Sequence, residues 1–150
     1  MVYDVLFFIA MLATALALGG ALAHALELPN KIHLPAEEYF IVQKAYRGWS
    51  MLGWLLLVQL ASIVAVAYLS RGEARVFWPV VLAGVFLLCA QAVFWAYTYP
   101  ANVATNQWTV IPGNWQALRT QWEYSHAAGA GFQALAMCAL IVGALARART

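Results

Sequence analysis

The chain has 150 residues, 65% hydrophobic and 9% charged, with a mean hydropathy of +0.74 and a formal net charge of +2. A soluble domain carries about 25% charged residues, so that class is excluded, and no basic cluster is dense enough to expect a nucleic-acid partner. The composition points to the lipid bilayer as the surrounding medium.

Four apolar stretches, about 5–28, 49–70, 76–99 and 121–146, each reach the roughly 20 residues a helix needs to cross about 30 Å of hydrocarbon. Few residues remain outside them. The chain therefore reads as one all-α domain, 1–150, an integral membrane four-helix transmembrane bundle.

The first stretch has Gly19-Gly20 followed by Ala21-Leu22-Ala23, a run like a signal-peptidase site. Its leading residues carry Asp4 and no Lys or Arg, where a signal peptide has positive charge. It is expected to stay as a transmembrane helix. Ala13, Ala17, Gly20, Ala21 and His24 recur every three or four residues, a small-residue stripe for close helix approach in lipid. His24 continues the stripe and is expected to point into the bundle. Glu27 follows at i+3, and Pro29-Asn30 is expected to end the helix.

After Pro35, the acidic pair Glu37 and Glu38 suits a helix start. A helix from about Ala36 is expected to run directly into the second span, with Trp49 and Trp54 at the membrane interface. The short link Arg71–Arg75 makes spans two and three antiparallel neighbours. In span three, Gln91, Trp95, Thr98 and Asn102 share one face at helical spacing, and Pro100 kinks or ends the helix. Gln59, Gln91 and Gln133 are expected to hold helices together, and Cys89 and Cys138 to be small buried hydrophobes.

The segment 101–118 combines Asn102, Asn106, Trp108, Asn114 and Trp115 with a Pro112-Gly113 turn. Two Trp suggest a lid on the bundle mouth or a loop seated among headgroups. The next run crowds Arg119, Trp122, Glu123, Tyr124 and His126 into eight residues at the start of the last span. Glu123 and His126 are i, i+3 on one face, and Gly129, Ala130 and Gln133 continue it. Small-residue stripes on the first and last spans serve packing within one chain or a homo-oligomer.

Alternating spans bring the end of the first helix and the start of the last to one side of the membrane. His24 and Glu27 then mirror Glu123 and His126, the glutamates toward the mouth and the histidines deeper. Most other polar residues share that side. Lys and Arg divide four and four between the two sides. The cations of the hairpin and C-terminal tail sit tightly beside span ends, which favours cytoplasmic termini and an extracytoplasmic site.

Three readings of this mouth compete. In the first, His24, Glu27, Glu123 and His126 form an N/O donor set for iron, copper or zinc. A haem between His24 and His126 is a variant made less attractive by the glutamates. In the second, which needs no metal or other cofactor, His126 or His24 is a general base toward a flat hydrophobic small molecule. Arg119 or Arg47 stabilises the developing anion, and Trp122, Trp115, Asn102 and Asn106 line the pocket. In the third, the charges pair among themselves, Glu27 or Glu123 with Lys31, Arg47 or Arg119, and the protein is a non-catalytic scaffold or accessory subunit.

The run Pro100-x-Asn102, Asn106-x-Trp108, Asn114-Trp115-x-x-Leu118-Arg119-x-x-Trp122-Glu123-Tyr124-Ser125-His126 resembles a bacterial membrane family of unknown function that is grouped with the fungal anthrone oxygenases. The resemblance covers most of the chain and is distinctive from Pro100 to His126. It implies four transmembrane helices and, from the characterised fungal members, an oxidoreductase of the oxygenase type that converts an anthrone to an anthraquinone without a standard flavin or haem. Arg119, Trp122, His126 and Asn102 match the family's pattern. The oxygenase-type members often carry an Arg about one turn after His126, where this chain has Gly129 or Ala130.

Overall fold

In a computed structural model describing residues 1–148, the chain is all helical among the described residues. Arg149, one of the expected cytoplasmic cations, lies outside them. The elements are α1 (Val2–Lys31), α2 (Ala36–Val42), α3 (Leu52–Leu69), α4 (Ala74–Val93), α5 (Tyr99–Ala104) and α6 (Trp115–Arg147). A π-helical turn, Phe94–Thr98, joins α4 to α5 without a break. Four helices, Val2–Lys31, Trp49–Leu69, Ala74–Ala104 and Trp115–Arg147, are long and apolar enough to cross a membrane.

Helices α1, α3, α4 and α6 close into a ring in which each packs on two neighbours. Their shared core is apolar, with Phe7, Ala10, Ile63, Val80, Ala83, Leu87, Ala136 and Leu140 buried together. Small residues permit the closest approaches: a Cβ on Gly143 of α6 would stand 3.3 Å from Val80 and 3.5 Å from Phe7. Ala13 and Ala17 of the expected stripe are buried, and Gly20 lies under Leu52 and Trp49 of the second span.

One amide pair crosses the ring. Gln59 Nε2 of α3 donates to Gln133 Oε1 of α6 at 2.9 Å and to Thr14 Oγ1 of α1 at 3.1 Å. Gln133 Nε2 returns a longer bond of 3.4 Å to Gln59 Oε1. Hydrocarbon offers these groups no alternative partner, so the pair fixes the register of three helices. Gln91, expected to act likewise, does not join them. Cys138 is exposed on the outer surface rather than buried, and Cys89 is half-buried.

At one end, the Asp4 carboxylate meets Arg147 at 2.5 Å, and the hydroxyls of Tyr3 and Ser70 share a hydrogen bond of 2.7 Å. This polar ring marks one membrane boundary. Twenty residues on from Asp4, a rise of about 30 Å, is His24, and twenty residues back from Arg147 is Ala127, beside His126. The remaining turns of α1 and α6 project beyond the hydrocarbon and carry a head made of α2, α5 and the 105–114 loop.

Three boundaries differ from expectation for local reasons. Helix α1 runs through Pro29 to Lys31, because a proline in the last turn removes only one helical hydrogen bond. The segment from Ala36 does not run into the second span: it tightens into a 3₁₀ turn at Gln43–Tyr46 and breaks at Gly48, whose φ of +87° is left-handed. The third span continues past Pro100 to Ala104. Pro100 has no N–H for the carbonyl four residues back, and the preceding turn widens into the π form.

Gln59→Ala leaves Gln133 without its partner and is expected to cost about 1–2 kcal/mol. Thermal unfolding in detergent measures this, with the Gln59→Leu/Gln133→Leu pair recovering most of the loss.

Candidate functional site at the bundle mouth

Where α1 and α6 leave the hydrocarbon, two layers of side chains lie between the bundle core and the head. The lower layer is aromatic. The His24 and His126 rings stack face to face, with centroids 4.1 Å apart and planes inclined by 17°. Trp122 stands edge-on to His126 at 4.1 Å and to His24 at 5.1 Å, and Tyr46 and Trp49 also pack on His24, at 4.4 and 5.1 Å. His24 is buried, and its Nδ1 has no hydrogen-bond partner.

The upper layer is ionic and is centred on Lys31, which is 4% exposed. Its Nζ lies 3.2 Å from Glu27, 3.3 Å from Glu123 and 2.6 Å from the Tyr46 hydroxyl, to which it donates. The Tyr46 hydroxyl donates in turn to Glu27. Glu123 is fully buried and accepts a 2.9 Å hydrogen bond from the Tyr39 hydroxyl, and its second oxygen has no partner. The ammonium also faces the Tyr46 and Trp122 rings, at 4.7 and 5.4 Å from their centroids.

The head closes over these layers with its own core of Tyr39, Phe40, Ala101, Trp108 and Trp122. Asn102 anchors it, because its Oδ1 accepts from both the Trp108 and the Trp122 indole, at 2.9 and 2.8 Å. To bring Trp108 inward the chain takes three consecutive left-handed residues, Asn106, Gln107 and Trp108, with φ of 46°, 57° and 61°. Each costs roughly 1–2 kcal/mol in a non-glycine residue, which the buried indole and the 2.7 Å bond from Gln107 N to Asn102 O offset. The segment 101–118 thus folds as a lid.

The sequence candidates separate into three groups. His24, His126, Trp122, Glu27 and Glu123 meet around Lys31. Trp115 and Arg119 form an outer layer: the guanidinium lies over the Trp115 and Tyr39 rings at 4.6 and 5.5 Å and donates to the Leu34 carbonyl at 2.6 Å. Its Nε is buried without a partner. Arg47 and Asn106 are exposed, and Asn106 bonds only within its own turn, to Thr109.

Lys31 pairs with Glu27 and Glu123, as the third reading had it, while Tyr39 and Tyr46 are central here and were not among the sequence candidates. Lys31 continues the His24, Glu27 stripe at i+4, a signal hidden by ending the helix at Pro29. The tyrosines had no such signal, because Tyr39 reaches Glu123 across 84 residues of chain.

The four proposed metal ligands do not fit one ion. The imidazole planes are nearly parallel, so their in-plane lone pairs do not converge, and both carboxylates turn toward Lys31. Among the described residues no group of three or more His, Cys, Asp and Glu side chains is placed to hold a metal. A macrocycle has no room between rings stacked at 4.1 Å.

Both tyrosines lie outside the spans. Burial first, and then the neighbouring Glu123, pushes the Tyr39 phenol far above its ordinary value of about 10. Burial and the hydrogen bond to Glu27 do the same for Tyr46. A phenol held neutral in the fold but free to ionise in the unfolded chain stabilises the fold fully below about pH 10. That stability is lost as pH rises further, because the unfolded state then binds fewer protons. Ultraviolet titration is expected to show Tyr39 and Tyr46 ionising only as the head opens.

Lys31→Met strands Glu123 without its cation and is expected to destabilise the protein by about 3–5 kcal/mol. Melting temperature reads this, and adding Glu123→Gln restores most of it. Comparison with protein-family models, with curated proteins and with solved structures finds no match for this chain.

Proposed function

We propose that the chain is a membrane oxidoreductase of the oxygenase type whose imidazole pair removes a proton from a hydrophobic aromatic small molecule. The observation that carries this reading is the buried Nδ1 of His24, unpartnered in a ring stacked on His126. A buried nitrogen without a partner is costly in a purely structural residue, and a proton acceptor needs such an atom.

The carboxylates of Glu27 and Glu123 and the ammonium of Lys31 lie in the layer directly above the rings. The Lys31 ammonium is occupied by Glu27, Glu123 and Tyr46. Arg119 keeps its Nε–H for an oxyanion at the rim. A substrate whose CH₂ is made acidic by a carbonyl conjugated with it through flanking aromatic rings becomes an enolate and reacts with dioxygen. Two C–H bonds give way to C=O, with one oxygen atom entering the product and the other leaving in water. The resemblance to the anthrone-oxygenase grouping supports this class of reaction.

The second reading is a non-catalytic binding or accessory protein. It is favoured by the engagement of Glu27, Glu123 and part of Arg119 with protein groups. We further propose that the termini are cytoplasmic in a bacterial inner membrane, with the head outside. The tight cations of the hairpin and tail support this orientation, and a reporter fused to the C-terminus tests it.

Oxygen uptake by purified protein with anthrone as the probe decides between the two readings. His126→Ala and His24→Ala are expected to lower the protein-dependent rate about 10²–10⁴-fold while the fold persists. A folded double variant that retains the full rate, or a wild-type protein with no uptake, overturns the catalytic reading.

A further inference from the structure

A groove lies between α3 and α4, on the side of the bundle that faces lipid. Trp54, Leu56, Leu60, Leu87, Gln91 and Trp95 line most of it, and its volume is about 400 Å³. That is within the range of small-molecule sites, roughly 300–1,000 Å³. The two helices are held together at the far end by their hairpin and leave space between them toward the head.

Its depth follows from helix rise. Twenty residues on from Arg75, at the polar boundary of the hairpin, is Trp95. The groove therefore runs from the head-side boundary about 12 Å down to Leu87. Its walls are aliphatic except for Ser50, Gln91 and the exposed indoles of Trp54 and Trp95. The π-turn turns Trp95 outward to this groove while Thr98 points inward and bonds Ser125 of α6 at 2.6 Å.

Two features separate the groove from ordinary lipid-facing surface. First, the Gln91 side chain has no hydrogen-bond partner among the described residues, unlike the amides of Gln59 and Gln133. About 6 Å inside hydrocarbon, an unpaired amide is costly unless something polar reaches it. Second, the groove wall is itself open: a Cβ on Gly53, an exposed residue of that wall, would meet nothing within 4 Å.

We propose that this groove binds a lipid-soluble aromatic molecule carrying one hydrogen-bonding group, taken sideways from the bilayer. The ring lies between the Trp54 and Trp95 indoles, and its carbonyl or hydroxyl meets Gln91. As a site that gathers substrate for the imidazole pair, the groove rests on the function proposed above; as a binding site it does not.

The probe is 4-hydroxybenzophenone, a ring compound with a hydroxyl and a carbonyl that inserts into nearby C–H bonds under light. The full chain in phosphatidylcholine nanodiscs is photolysed and the adducts are mapped by peptide mass spectrometry. Adducts are expected on α3 and α4 around Leu56, Leu57 and Leu88. Gly53→Phe fills the groove from a helical glycine with open space around it, and is expected to abolish them. Gln91→Leu is expected to weaken half-saturation roughly fivefold. His126→Ala is expected to leave labelling unchanged; wild-type protein that is labelled by the probe but takes up no oxygen with anthrone sinks the oxygenase reading and keeps the groove. Labelling spread over all lipid-facing helices, or adducts unaffected by Gly53→Phe in a folded protein, overturns the proposal. So does displacement of the probe by a simple alkane as readily as by 1-naphthol, since an acyl chain is then the occupant.

Discussion

An ammonium group taken out of water needs negative charge around it, and the head of this protein is arranged to meet that need at Lys31. Glu27 comes from its own helix, Glu123 from α6, and the Tyr46 hydroxyl from the turn after α2. Three separate pieces of chain thus converge on one atom. Glu123 draws in a fourth contact through Tyr39 of α2. Without the cation, a fully buried Glu123 would be left beside the half-exposed carboxylate of Glu27. The burial of Lys31, 4% exposed, and Glu123, fully buried, makes the arrangement costly to form and costly to break.

The rest of the mouth follows from that placement. The ion layer sits directly above the imidazole layer, so the same helix turns that carry the glutamates to Lys31 press His24 and His126 together. Trp122 belongs to both layers: it packs on the two imidazoles, faces the ammonium, and hangs from Asn102. Asn102 in turn is delivered by the continuation of α4 through its π-turn. The lid, the kinked third helix and the stacked rings are therefore one connected unit. The apolar ring of helices beneath it is joined chiefly by small residues and one amide pair.

Much of the scaffold was legible in the sequence, since hydropathy over 20 residues and the i, i+3 spacing of Glu and His are local signals. The facing of His24 and His126 followed from alternating spans alone. What local reading missed was set by long-range contact or by exceptions to local rules. Pro29 suggested an end to α1 and so concealed that Lys31 extends the stripe. The face shared by Gln91, Trp95, Thr98 and Asn102 was drawn on regular helical spacing, and the π-turn divides it, sending Trp95 outward and Thr98 and Asn102 inward. The carboxylates read both as metal ligands and as partners of Lys31; the pairing with Lys31 is what forms, and two tyrosines that no spacing reveals join it. Tyr39 and Tyr46 could be found only by knowing how α2 folds back across the mouth.

The distance from the Asp4–Arg147 pair to the imidazole layer has a consequence of its own. Both histidines stand about twenty residues from that pair on two rigid helices, so their height above it is fixed by the helices and not by the lipid. The bilayer must adapt to the protein. In a thicker membrane the imidazole layer and the top of the α3–α4 groove sink below the headgroups, and in a thinner one they rise into water. Helix tilt can absorb only part of the difference, because the Gln59–Gln133 pair ties the helices to one another. Acyl-chain length is therefore a physical control on the solvation of the mouth, acting through no contact with a headgroup.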